Sequence, residues 1–382
     1  MPKFSEARQE ALQELTVQYK HRYLSIPCLL GGVGLGKTEM AAELAIEMGE
    51  KVIEDSLIFE AIPTGEASDP TDTAGIPWVI PVEGTNISKK DFRVLWALNR
   101  AAFDACHRPT MLLFDDIDKA TPIVTNSLLH LFVHRRFKDF ALHEKSLMMC
   151  AGNRTTDDIH ANAMSESLKT RVTAIEVEAD FDDFSKWALS VEEDKPSRIH
   201  PVLLGFLNHK PELLHKHEEN VIRFPTPRGY RETSLHMMEF PDPKTWLRTL
   251  TRKIGQGAAN DFWAWYTVLS KVDVDYILEH GTFKEPIKSD NPKTPLEVVQ
   301  KMAEFAAVFA VTDRLNKKMS PKYSGLETFI ASLAPELRVA FLLQMRDGTK
   351  REFRNFYPKA SGKIMGTIIK DASSSPANGT GP

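Results

Sequence analysis

Ser25-Ile-Pro-Cys-Leu-Leu-Gly31-Gly-Val-Gly-Leu-Gly36-Lys37-Thr38 begins as a short apolar run, passes through four glycines in six residues and ends on Lys-Thr. Residues 37 to 49 then place Met40, Ala41, Leu44, Ala45 and Met48 on one helical face, so the segment reads as strand, loop, helix. The loop fits G-x-x-x-x-G-K-[ST] in the strand-to-helix setting that pattern requires. Glycines let backbone N–H groups turn inward around phosphates. Lys37 then reaches the β- and γ-phosphates, and the Thr38 hydroxyl meets Mg²⁺ at the positive end of the helix. From average composition a chance match in a chain this long has odds of roughly one in a hundred, so the segment is read as a phosphate loop. The candidate nucleotide-binding residues are Gly31, Gly32, Val33, Gly34, Leu35, Gly36, Lys37, Thr38 and Glu39.

Outward from the loop, Met111 to Phe114 and Leu147 to Ala151 are continuously apolar over strand length, as strands covered on both faces are, and Val172 to Val177 follows as another. Residues 5 to 20 carry Ala7, Ala11, Leu12, Leu15 and Val17 at approximately helical spacing. Strands alternating with helical segments predict an α/β unit with a parallel sheet flanked by helices and ligand at the C-terminal strand ends. The run Met111-Leu-Leu-Phe-Asp115-Asp116 supplies the carboxylate that a phosphate loop needs on a neighbouring strand. Asp115 is the metal-side candidate, and Asp116 is placed to orient or activate a water.

Beyond residue 181 the pattern turns helical, over 182–191, 200–216, 227–240, 243–269, 297–316 and 325–345, and Trp263, Trp265 and Tyr266 read as helical core. Gly281 to Pro295, with three prolines, reads as a loop between two helical subregions. The expected organisation is an N-terminal helix over 1–24, an α/β nucleotide domain over 25–180, a helical lid over 181–285, a C-terminal helical region over 286–370 and a mobile tail over 371–382.

The 382 residues carry 48 Lys and Arg against 52 Asp and Glu, a net charge of −4, so no global basic field gathers nucleic acid. With 42% hydrophobic residues, overall disorder is excluded. Cys28, Cys106 and Cys150 are far apart, which argues against a disulfide scaffold or zinc module. No apolar stretch reaches the ~18 residues of a membrane span, and the N-terminus lacks a signal-peptide core, so a cytoplasmic protein is expected.

GGVGLGKT, LLFDDIDKATPIVTNSLLHLF, MCAGNR, SLKTRV and FPTPRGY, in this order, resemble the signature of the MoxR-type branch of AAA+ ATPases, a dynein-related group common in bacteria and their phages. The similarity is specific from about residue 25 to 240. It implies a P-loop NTPase core with an all-α lid, ATP and Mg²⁺ as ligands, and a homo-oligomeric ring, expected to be a hexamer. It also implies a protein client, with a von Willebrand factor A domain protein as a frequent partner. By position, Asn153 matches the sensor near the γ-phosphate. Arg171 matches the arginine finger inserted into a neighbouring subunit's site, with Arg135 or Arg136 as alternatives. Arg228, behind Thr226 and Pro227 as helix cap and first position, matches the second sensor in the lid. The family mostly carries Asp-Glu where this chain has Asp115-Asp116, which leaves open a nucleotide-gated scaffold with little turnover. A nucleic-acid motor or loader is the other alternative. Trp78, in Ala74-Gly-Ile-Pro-Trp-Val-Ile80, has two readings: a pore-loop residue gripping polypeptide, or an apolar stretch packed on the domain.

Overall fold

The structure, a computed structural model, describes residues 3–22, 26–81, 92–157, 162, 164–189, 198–218, 221–288, 296–345, 347–362 and 364. The stretch 371–382, expected to be mobile, lies outside them. The chain divides into two compact units, Met1–Asp183 and Phe184–Pro382.

The first unit runs α1 (Phe4–His21), β1 (Ile26–Gly31), α2 (Lys37–Met48), β2 (Ile58–Pro63), α3 (Pro70–Ala74), β3 (Gly75–Pro81), β4 (Phe92–Leu98), α4 (Arg100–His107) and β5 (Thr110–Asp115). It continues through α5 (Pro122–His134), β6 (Arg136–Phe137), β7 (Phe140–Ala141), β8 (Leu147–Gly152), α6 (Glu166–Lys169) and β9 (Val172–Val177). Five strands form one sheet in the order β2-β5-β8-β1-β9, and every pairing in it is parallel. The α/β expectation therefore holds.

Both faces are covered, which is why the inner strands read as unbroken apolar runs. Leu29, Met111, Leu113, Met149 and Ala151 join Ala7, Ala11, Leu15 of α1 and Met40, Leu44 of α2 on one side. Cys28, Leu112, Phe114, Met148 and Cys150 join Ala102, Ala105 of α4 and Val124, Leu128 of α5 on the other. The strand β2 carried no sequence signal, because Glu60 and the terminal Pro63 break its apolar pattern at the sheet edge.

Buried Gln18 ties α1 to the sheet. Its Nε2 donates to the Met148 carbonyl at 2.9 Å, and the Met148 N–H donates to its Oε1 at 2.7 Å. Gln18→Leu leaves a buried donor and a buried acceptor unmatched, an expected loss of about 2–4 kcal/mol. Thermal unfolding should then begin about 5–10 °C lower.

The strands β3 and β4 pair antiparallel as a separate hairpin. Ile76, Trp78 and Val79 are 62%, 64% and 61% exposed, so this stretch is not packed against the body of its unit. A second small hairpin joins β6 and β7.

The second unit is helical: α7 (Phe181–Leu189), which begins before the division, then α8 (Pro201–His209), α9 (Pro227–Glu239), α10 (Trp246–Ile254) and α11 (Gln256–Leu269). After these come α12 (Val274–His280), α13 (Leu296–Lys317), α14 (Leu326–Ser332), α15 (Pro335–Leu343) and α16 (Asp347–Phe356). The helix expected over 200–216 stops at His209, ahead of Pro211, and the one expected over 325–345 breaks ahead of Pro335. That expected over 243–269 breaks at Gly255, whose φ of 87° no helix accommodates. Phe206, Phe262, Trp265 and Phe309 pack in edge-to-face and tilted pairs beside Gly205, where an added Cβ would lie 2.5 Å from the Phe309 ring. Ile277 and Leu278 share a second cluster with Val308, Val311, Phe329 and Phe341, from beyond the Pro-rich stretch.

Candidate active site

Three neighbouring strands, β5, β8 and β1, end at the same edge of the sheet, and each delivers one functional group there. The strand β1 runs into the glycine loop. Gly34 and Gly36 have φ of 78° and 91°, left-handed values that other residues adopt at a cost, and Gly36 is the N-cap of α2. Lys37 is therefore the first helical residue and lies 9% exposed. Its Nζ donates to the carbonyls of Gly31 at 2.7 Å and Gly32 at 3.0 Å, and to Asn153 Oδ1 at 3.1 Å. The strand β8 supplies that Asn153 just past its end, 6% exposed.

The strand β5 ends on Asp115, whose Oδ2 accepts from Thr38 Oγ1 at 2.8 Å. Its Oδ1 accepts the Asp116 N–H at 3.0 Å. A hydroxyl and a carboxylate oxygen side by side form the hard oxygen set that Mg²⁺ takes from protein, the rest of its shell coming from phosphate and water. Among the described residues no group of three or more His, Cys, Asp or Glu is disposed to hold a metal, and Mg²⁺ carried with phosphates needs none. The residues present fit the ion.

Burial lowers the Lys37 ammonium to about 8, against support from Asp115 first and then Asp118 and Asp116. A phosphate chain beside it would restore the charged form. Nucleotide affinity is accordingly expected to be flat below the free value and to weaken as pH rises through about 8. The limiting slope is about tenfold per pH unit, because one proton must be taken up on binding. Calorimetric titration in two buffers of different ionisation heat reads that proton directly.

Asp116 has a φ of 52°, a left-handed conformation that a short polar side chain tolerates better than most. Its carboxylate pairs with Lys119 Nζ at 3.3 Å and is nearly half exposed. The local backbone thus gives a reason for Asp at a position where the resembled family has Glu.

Arg171 lies at the far end of its strand. Val172 of β9 pairs with Ile26 and Val177 with Gly31, so Arg171, which precedes Val172, is about 20 Å from its own phosphate-loop edge at ~3.3 Å per residue. It cannot reach the phosphate loop of its own chain. Its Nη1 donates to the Ser167 carbonyl, and its buried Nε has no hydrogen-bond partner among the described residues. Of the alternatives, Arg135 spends its guanidinium on the Ser146 carbonyl and Arg136 on that of Asp139. Arg228 belongs to the second unit, exposed in the first turn of α9; Thr226 Oγ1 accepts from Gly229 N there, with Pro227 at the first position.

Three residues escaped the sequence reading. Thr64, buried just past β2, donates both its N–H, at 2.9 Å, and its hydroxyl, at 2.5 Å, to the Asp115 carbonyl and so holds the β5 terminus. Asp118 accepts from Asn153. Arg154 is tied to Asp157 at 2.6 Å and to Glu176 and Glu178 at 3.4 Å each. The third acid of Asp115-Asp-Ile-Asp118 was the one visible signal, three residues beyond the metal-side Asp.

No family model and no curated protein matches the sequence. Among solved structures the chain is similar to RuvB, the Holliday junction branch migration motor of Thermotoga maritima. The identity is 12%, covering 72% of this chain and 76% of that one, with a TM-score of 0.37. It is also similar to PCH-2 of C. elegans at 13% identity, covering 81% of this chain and 68% of that one, with a TM-score of 0.32. Likenesses this distant carry no functional argument.

Proposed function

We propose that the chain is an ATP-hydrolysing AAA+ ring ATPase of MoxR-like type that remodels or assembles a protein client. The observation that carries the proposal is the meeting of Lys37, Thr38, Asp115 and Asn153 at one sheet edge, joined by hydrogen bonds of 2.8 and 3.1 Å. Those four groups are what binding a nucleoside triphosphate and cleaving it with water require.

Lys37 pairs with the β- and γ-phosphates of ATP, and the glycine-loop N–H groups surround them. Thr38 and Asp115 are the residues to hold Mg²⁺, which supplies neutralisation of phosphate charge when bound. Asp116 and Asn153 order the water whose oxygen bonds to the γ-phosphorus while the bond to the bridging oxygen breaks, giving ADP and phosphate. Arg171 of a neighbouring subunit steadies the charge that develops, and Arg228 is assigned to sensing the γ-phosphate from the helical region. The exposed Trp78 hairpin is the proposed grip on polypeptide, and a von Willebrand factor A domain protein is the expected partner.

Steady-state hydrolysis over a wide range of protein concentration tests this, with Lys37→Ala as the blank. Specific activity rising cooperatively with concentration is the expected outcome, and ATP binding with no rate above the blank would refute a self-sufficient ATPase. The short, left-handed Asp116 favours one second reading, a nucleotide-gated scaffold, for which Asp116→Glu restoring turnover would be the mark.

A further inference from the structure

Asp118 is 2% exposed and is spent almost wholly on Asn153. Its Oδ1 accepts the Asn153 backbone N–H at 2.8 Å, and its Oδ2 accepts the side-chain Nδ2 at 3.3 Å. Its own carbonyl accepts from Asn162 N at 2.9 Å. The preceding Gly152 leaves the carboxylate its place, since a Cβ there would lie 2.8 Å from Asp118 Oδ1.

An amide has a donor end and an acceptor end, and the two differ in what they can do beside a phosphate. With Nδ2 committed to Asp118, the Oδ1 of Asn153 faces Lys37 Nζ. The reversed amide would set donor against ammonium and oxygen against carboxylate, so this orientation is fixed by chemistry.

We propose that Asp118 is a positioning residue for hydrolysis: by holding both the backbone and the amide of Asn153, it decides that the carbonyl end of that side chain faces Lys37 and the attacking water. The inference rests on the ATPase reading above. Asp118 does not touch substrate. Its effect passes through Asn153. Nothing in the carboxylate's position contributes to holding the nucleotide itself.

Asp118→Asn keeps the volume and an oxygen to accept the Asn153 N–H but sets an NH2 group, which donates and cannot accept, against Asn153 Nδ2. The expected result is a fall of about tenfold or more in kcat, with ATP affinity within about threefold of the wild type. In an Asn153→Ala background the same change should cost less than about twofold, because its route of action is already gone. The exchange Asp118→Asn with Asn153→Asp restores a donor facing an acceptor and oxygen facing Lys37, and it should recover most of the rate, even if the single Asp118→Asn variant fails to fold. Asp118→Asn turning over like the wild type, full additivity with Asn153→Ala, or a folded exchange variant without recovery would each overturn the proposal. The wild-type rate above the Lys37→Ala blank is read in the same assay. Its absence removes the ATPase reading and this inference with it, whereas a normal wild-type rate with an indifferent Asp118→Asn removes this inference alone.

Discussion

Lys37→Met is expected to lower ATP turnover by about 10²–10³-fold, the scale on which removal of one buried, aimed donor acts on a developing oxyanion. The ammonium is the positive group that the loop aims at phosphate, and among the described residues its three acceptors Gly31 O, Gly32 O and Asn153 Oδ1 have no other cation among their hydrogen bonds. The same substitution has a second, opposite consequence. Because burial puts the folded-state value at about 8, below the ordinary 10.5, the charged form is disfavoured in the folded protein. The sign follows: the penalty is full below pH ~8 and disappears as pH rises toward 10.5, and its size at neutral pH is about 3 kcal/mol as an upper figure. Loss of three hydrogen bonds costs a comparable amount and offsets that relief. Without nucleotide, then, Lys37→Met should unfold within several degrees of the wild type at pH 7, while phosphate release falls to background. A variant that loses both stability and rate would mean that Lys37 serves the fold and not the phosphates.

Arg171→Ala is expected to reduce turnover by about 10³-fold or more while leaving ATP affinity within a fewfold, the pattern of a cation supplied in trans. The register of β9 on β1 carries the argument. Arg171 immediately precedes Val172, which pairs with Ile26 at the start of β1, whereas the phosphate loop begins at the end of that strand, at Gly31. An arginine that acts on hydrolysis from that position must do so on a different copy of the chain. Equilibrium nucleotide binding and phosphate release, measured on the same preparation, separate the two effects. Equal losses of affinity and rate would point instead to a damaged α6–β9 junction, where the guanidinium caps the Ser167 carbonyl.

The parts of the site that the chain order made legible are those built from contiguous residues. Glycine spacing before Lys37-Thr38 declares a phosphate loop because the turn, the lysine and the helix N-terminus are all local. Asp115 was legible because it closes an unbroken apolar run that both-faced burial demands, whereas Asn153 was read as a sensor only through the resemblance of its motif to the family signature. Asp118 was not, since its meaning depends on β8 lying beside β5, a pairing no local pattern encodes. Thr64 was hidden for the same reason, at the end of an edge strand whose Glu60 and Pro63 disguise it. The distance of Arg171 from the phosphate loop of its own chain likewise required the parallel register. In the helical unit, periodicity carried straight through Gly255 because apolar spacing is blind to a single left-handed residue. The exposed hairpin of β3 and β4 defeated burial logic, as apolar residues at strand spacing are ordinarily inside.

The most direct test of a shared ATPase site is to mix Lys37→Ala subunits with Arg171→Ala subunits, each inactive alone. At equal amounts, random assembly places an intact phosphate loop against an intact Arg171 at about a quarter of interfaces. Hydrolysis at about a quarter of the wild-type rate is therefore the predicted result, provided each interface turns over independently. A mixture that stays at the background of its two components, under conditions where the subunits exchange, would contradict the account.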